Sequence, residues 1–221
     1  MDTPPRRKRV YLVDDETMVR AAFRSLLESE CGAEVVGAQG DARQAIKEIP
    51  RLRPDLILLD ITMPGLSGVD AIPLILEAWP EARIVMLTHQ DAERFVIRSL
   101  RTGARGYLHK DSDPEELRLA MDTVLSGGRY LSPRVGNGLI EKALSGEGPE
   151  PPMGPLDRLT PRERQVLQLL VLGKPNKQVA RELGMSLATA KKHRENLQRK
   201  LDCHSLADLT RLAIREGLLQ S

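Results

Sequence analysis

Five side chains sit where short apolar runs end, and their types suit phosphoryl chemistry. Asp14 and Asp15 follow the run Val10–Val13, and Asp60 follows Leu56–Leu59. Thr88 closes Ile84–Leu87, and Lys110 comes just after Gly106–Leu108. Three carboxylates brought to one place repel one another, and a hard divalent cation with oxygen ligands, Mg²⁺ by preference, relieves that repulsion. A carboxylate beside such an ion can attack a phosphoryl group, while a hydroxyl and an ammonium hold the phosphoryl oxygens. For any one of these residues, an exposed loop position or a helix cap is explanation enough. For all five at run ends it is not.

The elements that must position them follow from the pattern. Runs reading as strands are Val10–Val13, Glu34–Ala38, Leu56–Leu59, Ile84–Leu87 and Gly106–Leu108. They alternate with amphipathic stretches at 17–29, 41–50, 68–79, 91–103 and 113–127. Continuous apolar strands alternating with helices predict a parallel sheet covered on both faces, an α/β (βα)5 doubly wound domain over 1–128. Chemistry in such a sheet gathers at the C-terminal strand ends, where all five residues stand. Asp41 with Gln44, and Asp113-Pro114-Glu115-Glu116, read as helix starts.

Residues 129–158 read as a linker. A short helix is expected around 134–144, and Pro and Gly crowd 145–157. From 159 to 221 only helices are signalled, at 160–172, 176–183, 186–200 and 205–216, an all-α four-helix domain. Thr160-Pro161-Arg162-Glu163 is a capping box, and Asn176, Ser186 and Ser205 are the expected caps of the other three helices.

The overall charge of +2 hides an asymmetry. Residues 1–128 carry 17 basic and 21 acidic side chains, and residues 159–221 carry 12 and 6. Only the last part attracts a polyanion. In 186–200, Ala190, Leu197 and Leu201 define one face, and Lys191, Lys192, Arg194, Arg199 and Lys200 crowd the rest. With helix 176–183 and the turn at Gly184, this is a helix-turn-helix whose second helix suits a DNA major groove. A solvated charged face is the plain alternative, and five basic residues in a domain of net +6 argue against it. Aromatics make up only 3% of the chain, so the core must be aliphatic. No apolar stretch is long enough to cross a membrane. The basic start Arg6-Arg7-Lys8-Arg9 precedes an apolar run too short for a signal peptide. Two distant cysteines, Cys31 and Cys203, suit a reducing cytoplasm.

The first domain resembles the receiver domain of bacterial response regulators. The residues that carry the likeness are Val13-Asp14-Asp15, the segment from Leu59-Asp60 to Gly68 with Met63-Pro64-Gly65, Leu87-Thr88, and Gly106-Tyr107-Leu108-His109-Lys110. The resemblance implies that Asp60 is phosphorylated by a histidine kinase. It implies that Asp15, Asp60 and the Thr62 carbonyl hold Mg²⁺, with Asp14 reaching the ion through water. Thr88 and Tyr107 form the implied switch pair, and Lys110 the phosphate contact. Haloacid-dehalogenase-like phosphatases also use an aspartate nucleophile, but they place a second Asp two residues later, where this chain has Thr62. A pseudo-receiver is a third reading, and the intact acidic set opposes it.

The second domain resembles the LuxR-type DNA-binding domain of the NarL/FixJ group through Leu159–Glu163, Asn176–Leu183 and the segment from Ser186 to Leu201. That likeness implies that Lys191, Lys192 and Glu195 face base edges, with Lys177, Thr189, His193 and Asn196 near phosphates. Ala190 departs from the group's usual Val. The whole is expected to be a cytoplasmic transcription factor, not an enzyme, that dimerises on phosphorylation. His89, directly after Thr88, is expected at the rim of the phosphorylation pocket.

Overall fold

The structure is a computed structural model, and it describes residues 6–89, 93–144 and 155–215. The chain divides into two compact units, Met1–Glu147 and Gly148–Ser221.

The first unit is built on a parallel sheet of order β2-β1-β3-β4-β5-β6. Its strands are β1 (Lys8–Val13), β2 (Ala33–Gln39), β3 (Leu56–Asp60), β4 (Ile84–Thr88), β5 (Gly106–His109) and β6 (Tyr130–Leu131). Every residue of β3, β4 and β5 is buried, because helices cover both faces. The pleat sends alternate side chains to opposite faces. Val13, Ile57, Leu59, Ile84, Met86 and Tyr107 pack on the side of α2 (Ala42–Leu52), α3 (Gly68–Ala78) and α4 (Glu93–Thr102). Val10, Leu12, Leu56, Leu58, Val85 and Leu108 pack against α1 (Thr17–Ser29) and α5 (Pro114–Leu125).

Caps set the helix starts. Asp41 accepts from the Arg43 N–H, Ser67 from Asp70 and Asp113 from Glu116. The start of α1 is different: Glu16 occupies its N-cap with no side-chain capping bond.

The segment expected as linker carries regular structure. Tyr130 and Leu131 pair with Gly106 and Tyr107 as the sixth strand, and α6 (Pro133–Leu144) follows. Two buried anchors explain the addition. Tyr130 donates to Glu116 of α5 at 3.1 Å, and Val135 enters the cluster that holds Tyr107 and Val96. The expected Pro- and Gly-rich stretch falls mainly on 145–154, outside the described residues, as do the expected helix start at 91 and the last position of 205–216.

The second unit opens with a 3-10 turn, Pro155–Arg158. Then come α7 (Pro161–Val171), α8 (Asn176–Glu182), α9 (Leu187–Leu201) and α10 (Leu206–Arg215). Thr160 and Glu163 form the capping box of α7, Ser186 caps α9, and Ser205 and Asp208 exchange bonds at the start of α10. Asn176 does not cap α8. It is the first helical residue, and Pro175 holds the N-cap position, where the ring fixes extended backbone.

Gly68 shows how tightly the loop after β3 is folded. Its N–H donates to the Ile61 carbonyl at 2.9 Å, and a Cβ built on it would lie 1.9 Å from the Asp60 carbonyl oxygen. That oxygen is backbone and cannot swing aside. Gly68→Ala should lower unfolding free energy by roughly 2–4 kcal/mol, read as a shift in the urea midpoint.

Candidate phosphoryl pocket and nucleic-acid surface

Parallel strands of matched register end together. The pairings Val13 with Leu59, Asp60 with Leu87, and Thr88 with His109 bring β1, β3, β4 and β5 to one rim. Asp14 and Asp15 leave β1 there, Asp60 is the last residue of β3, Thr88 the last of β4, and Lys110 follows β5.

Four of the five residues meet, and Thr88 stands at the same rim as the last residue of β4. One carboxylate oxygen from each of Asp14, Asp15 and Asp60 lies within 4.8 Å of the others. The Lys110 ammonium is 2.7 Å from Asp14 Oδ2 and 3.0 Å from Asp60 Oδ1. Asp14, Asp60 and Thr88 are buried. The Glu16 N–H donates to Asp14 Oδ1 at 2.9 Å, which fixes that carboxylate.

The electrostatics follow from burial. Desolvation pushes the Asp60 carboxyl up to about 7, with Asp14 and Asp15 adding to the rise and Lys110 opposing it. Asp15 is also raised, chiefly by burial. Burial alone would lower Lys110, but Asp60 and Asp14 outweigh it and raise the lysine. When all are ionised the three aspartates exceed the one ammonium by two negative charges, and Glu16 adds a further carboxylate beside it. A divalent cation bound by carboxylate oxygens balances that excess, and this donor set suits a hard ion. Thr62, two residues past Asp60, lies in the turn leading to α3.

Tyr107 is wholly buried, in the cluster that also holds Val96 of α4 and Val135 of α6. His89 is exposed at the mouth of the pocket, as its position after Thr88 implied. Sequence reasoning missed several neighbours. Glu16 Oε1 lies 3.3 Å from Lys110 Nζ, and Arg20 donates to the Asp14 carbonyl. Arg43 of α2 donates to the Gly65 carbonyl at 3.2 Å, steadying the loop after Asp60. Buried Asp70 of α3 pairs with Arg98 of α4 at 2.5 Å. Nothing in the spacing flags the last two, because the partners stand 22 and 28 residues apart.

In the second unit, α8 and α9 flank the turn at Gly184, whose φ is +60°. Ala190, Leu197 and Leu201 are buried beneath α9. Lys177, Thr189, Lys191, Lys192 and Glu195 are exposed, while His193, Arg194 and Asn196 are half-buried. Thr189 shares a 2.7 Å hydroxyl contact with Ser186, and Asn196 Oδ1 accepts from Arg199 at 3.0 Å. Lys200 departs from the expected outward face. It is 2.6 Å from Glu163, and that bond, with the Thr160 bonds, holds the buried carboxyl of the α7 cap below its usual range despite desolvation.

Comparison with known proteins adds to this geometry. The family described as "Response regulator receiver domain" matches residues 10–122, and "Bacterial regulatory proteins, luxR family" matches 157–213. The transcriptional regulatory protein MctR of Rhizobium johnstonii is 38% identical over 211 residues, covering 96% of this chain and 95% of that protein. The nitrate/nitrite response regulator protein NarP of Escherichia coli is 40% identical over 207 residues, 94% of each. A LuxR-family two-component response regulator from Aurantimonas superposes with a TM-score of 0.60 at 34% identity, covering 63% of this chain and 99% of that one. RcsB of Salmonella enterica, solved on promoter DNA with the phosphomimetic BeF₃⁻, gives a TM-score of 0.62 at 25% identity over 94% and 98%.

Asp60 is more easily protonated folded than unfolded, where a carboxyl titrates near 3.9. Its burial therefore lowers stability as pH rises from about 4 to about 7, and the loss is complete above that. In the presence of a chelator, Asp60→Asn should be the more stable protein at pH 8, by about 1–4 kcal/mol, and the gain should shrink at pH 5. Urea unfolding at the two pH values measures this.

Proposed function

The chain belongs to the two-component response regulators that join a receiver domain to a LuxR-type DNA-binding domain, and on that premise we propose how its own residues carry the signal. Asp60 is the phosphoacceptor. One observation carries this reading: Asp60 is a buried carboxylate at a strand end, 3.0 Å from a buried lysine and clustered with two further aspartates. Asp15, Asp60 and the Thr62 carbonyl would hold Mg²⁺, with Asp14 reaching it through water. Bound there, Mg²⁺ supplies charge neutralisation for the carboxylates and for an arriving phosphoryl group.

The chain's residues do the rest. An Asp60 Oδ attacks phosphorus as the donor's leaving group departs, and Lys110 turns its ammonium to a phosphoryl oxygen. Thr88 donates its hydroxyl to another, and Tyr107 follows Thr88 as its switch partner. No second acid stands at position 62, so the acyl phosphate persists as a signal. The immediate donor is a histidine kinase. The phosphoacceptor domain is assigned to 1–128, the connection to 129–158 and the DNA-binding domain to 159–221. Phosphorylation promotes a homodimer that places two α9 helices on half-sites about 10 base pairs apart, or a multiple of that. Lys191, Lys192 and Glu195 read bases, and Lys177, Thr189, His193 and Asn196 lie along phosphates. Among the described residues no helix is long and apolar enough to cross a membrane. Action in the cytoplasm is in keeping with two buried free cysteines.

Incubation with acetyl phosphate and Mg²⁺ should add one phosphate, and Asp60→Asn should abolish it, both read by intact mass. Unchanged labelling of Asp60→Asn would overturn the assignment. Beryllofluoride should raise the solution mass towards a dimer and tighten operator binding.

Lys191→Ala and Lys192→Ala should weaken binding to operator. If the lost contact is to phosphate, the salt slope flattens by about 0.9 on any DNA. If it is to a base edge, about 1–3 kcal/mol is lost on the operator alone. Lys200→Ala should instead cost stability, about 1–3 kcal/mol by urea melt, since the buried Glu163 loses its cation and keeps only the Thr160 bonds.

A further inference from the structure

The mouth of the pocket carries a chain of contacts that the phosphoacceptor chemistry does not require. Glu16 Oε1 is 3.3 Å from Lys110 Nζ, as a third carboxylate on an ammonium that already serves Asp14 and Asp60. His89 Nε2 stands 3.7 Å from the same Glu16 oxygen, and its Nδ1 stands 3.8 Å from Asp111 Oδ1. The His109 ring meets His89 edge-on at 6.3 Å. His89 thus sits between two carboxylates, one from the segment after β1 and one from the segment after β5.

Glu16 holds this position at a cost to its helix. An N-cap ordinarily accepts from the first-turn N–H groups, and Glu16 does not. Its carboxylate points to Lys110 instead, although half of the side chain remains exposed. Lys110 has only 2% of its side chain exposed, so the pair joins a buried ammonium to a carboxylate that is half in solvent.

We propose that Glu16 is a stand-in for the phosphoryl oxygen at Lys110 and so sets which phosphodonors react at Asp60. The inference rests on Asp60 being the phosphoacceptor. An incoming group must displace Glu16 from Lys110 and pass its charge. The barrier is largest for a donor that carries full negative charge. In acetyl phosphate the bond from phosphorus to the acyl oxygen breaks as the Asp60 bond forms, and acetate leaves with the electron pair. In phosphoramidate the P–N bond breaks, and the protonated nitrogen leaves as ammonia. That donor brings less net negative charge, and Glu16 opposes it less. Glu16 is a positioning residue: it touches Lys110, lies 3.7 Å from His89 and forms no bond to phosphorus.

The test uses the full chain with Mg²⁺, with both donors followed by intact mass. Glu16→Gln should speed phosphorylation by acetyl phosphate about three- to five-fold and by phosphoramidate less, so the ratio of the two rates changes. Glu16→Ser should change the ratio in the same direction and also raise the melting temperature, because serine caps α1. His89→Ala should move the ratio by a smaller factor, since its ring only lies beside Glu16 at 3.7 Å. Equal acceleration for both donors, or an unchanged ratio in variants that melt at or above wild type, would overturn the proposal. Asp60→Asn is run alongside. Phosphate gained by that variant would mean the Asp60 assignment itself has failed, and this inference with it.

Discussion

One ammonium group makes the first unit possible. Asp14 and Asp60 are buried at the end of the sheet, and Lys110 meets both within 3.0 Å. Without it, β1 and β3 would end in two adjacent buried anions, an arrangement that costs several kcal/mol in a weakly polar medium. Even with it, the balance stays negative, and Asp60 remains hard to ionise. The pocket is stable enough to form and short of two positive charges. That deficit makes it receptive to a cation, and through the cation to a phosphoryl group.

The sheet, its order of elements and the acidic rim were legible because they rest on local signals. Uninterrupted apolar runs such as Leu56–Leu59 and Ile84–Leu87 can lie only between two covered faces, and the residue that ends each run is then placed at the rim. Other features rest on long-range contacts and left no local trace. Tyr130–Leu131 is too short to read as a strand, and it becomes one because β5 presents a free edge and Tyr130 finds Glu116. Glu16 reads as one more acidic residue after Asp15. Only the fold brings Lys110 and His89 to it.

The second unit makes a similar point about charge. Composition marked α9 as basic, but composition does not say which cations face outward. Lys200 is drawn in by Glu163, whose position is set by the capping box of α7. Lys191 and Lys192, one turn from the Ser186 cap, stay exposed because Ala190 beside them is the buried residue. The face offered to a polyanion is therefore narrower than the count of lysines and arginines suggests.

The strand order bears on how the chain assembles during its synthesis. After β2 pairs beside β1, each later strand joins the same open side: β3, then β4, β5 and β6. The sheet can grow in the order in which the ribosome delivers it, with no strand waiting to be inserted between two others once β3 is in place. A nascent chain paused after β4 would expose a largely apolar edge, a surface prone to join another chain. The two-residue β6 ends that hazard in the finished protein, because so short a strand offers a neighbouring molecule almost nothing to pair with.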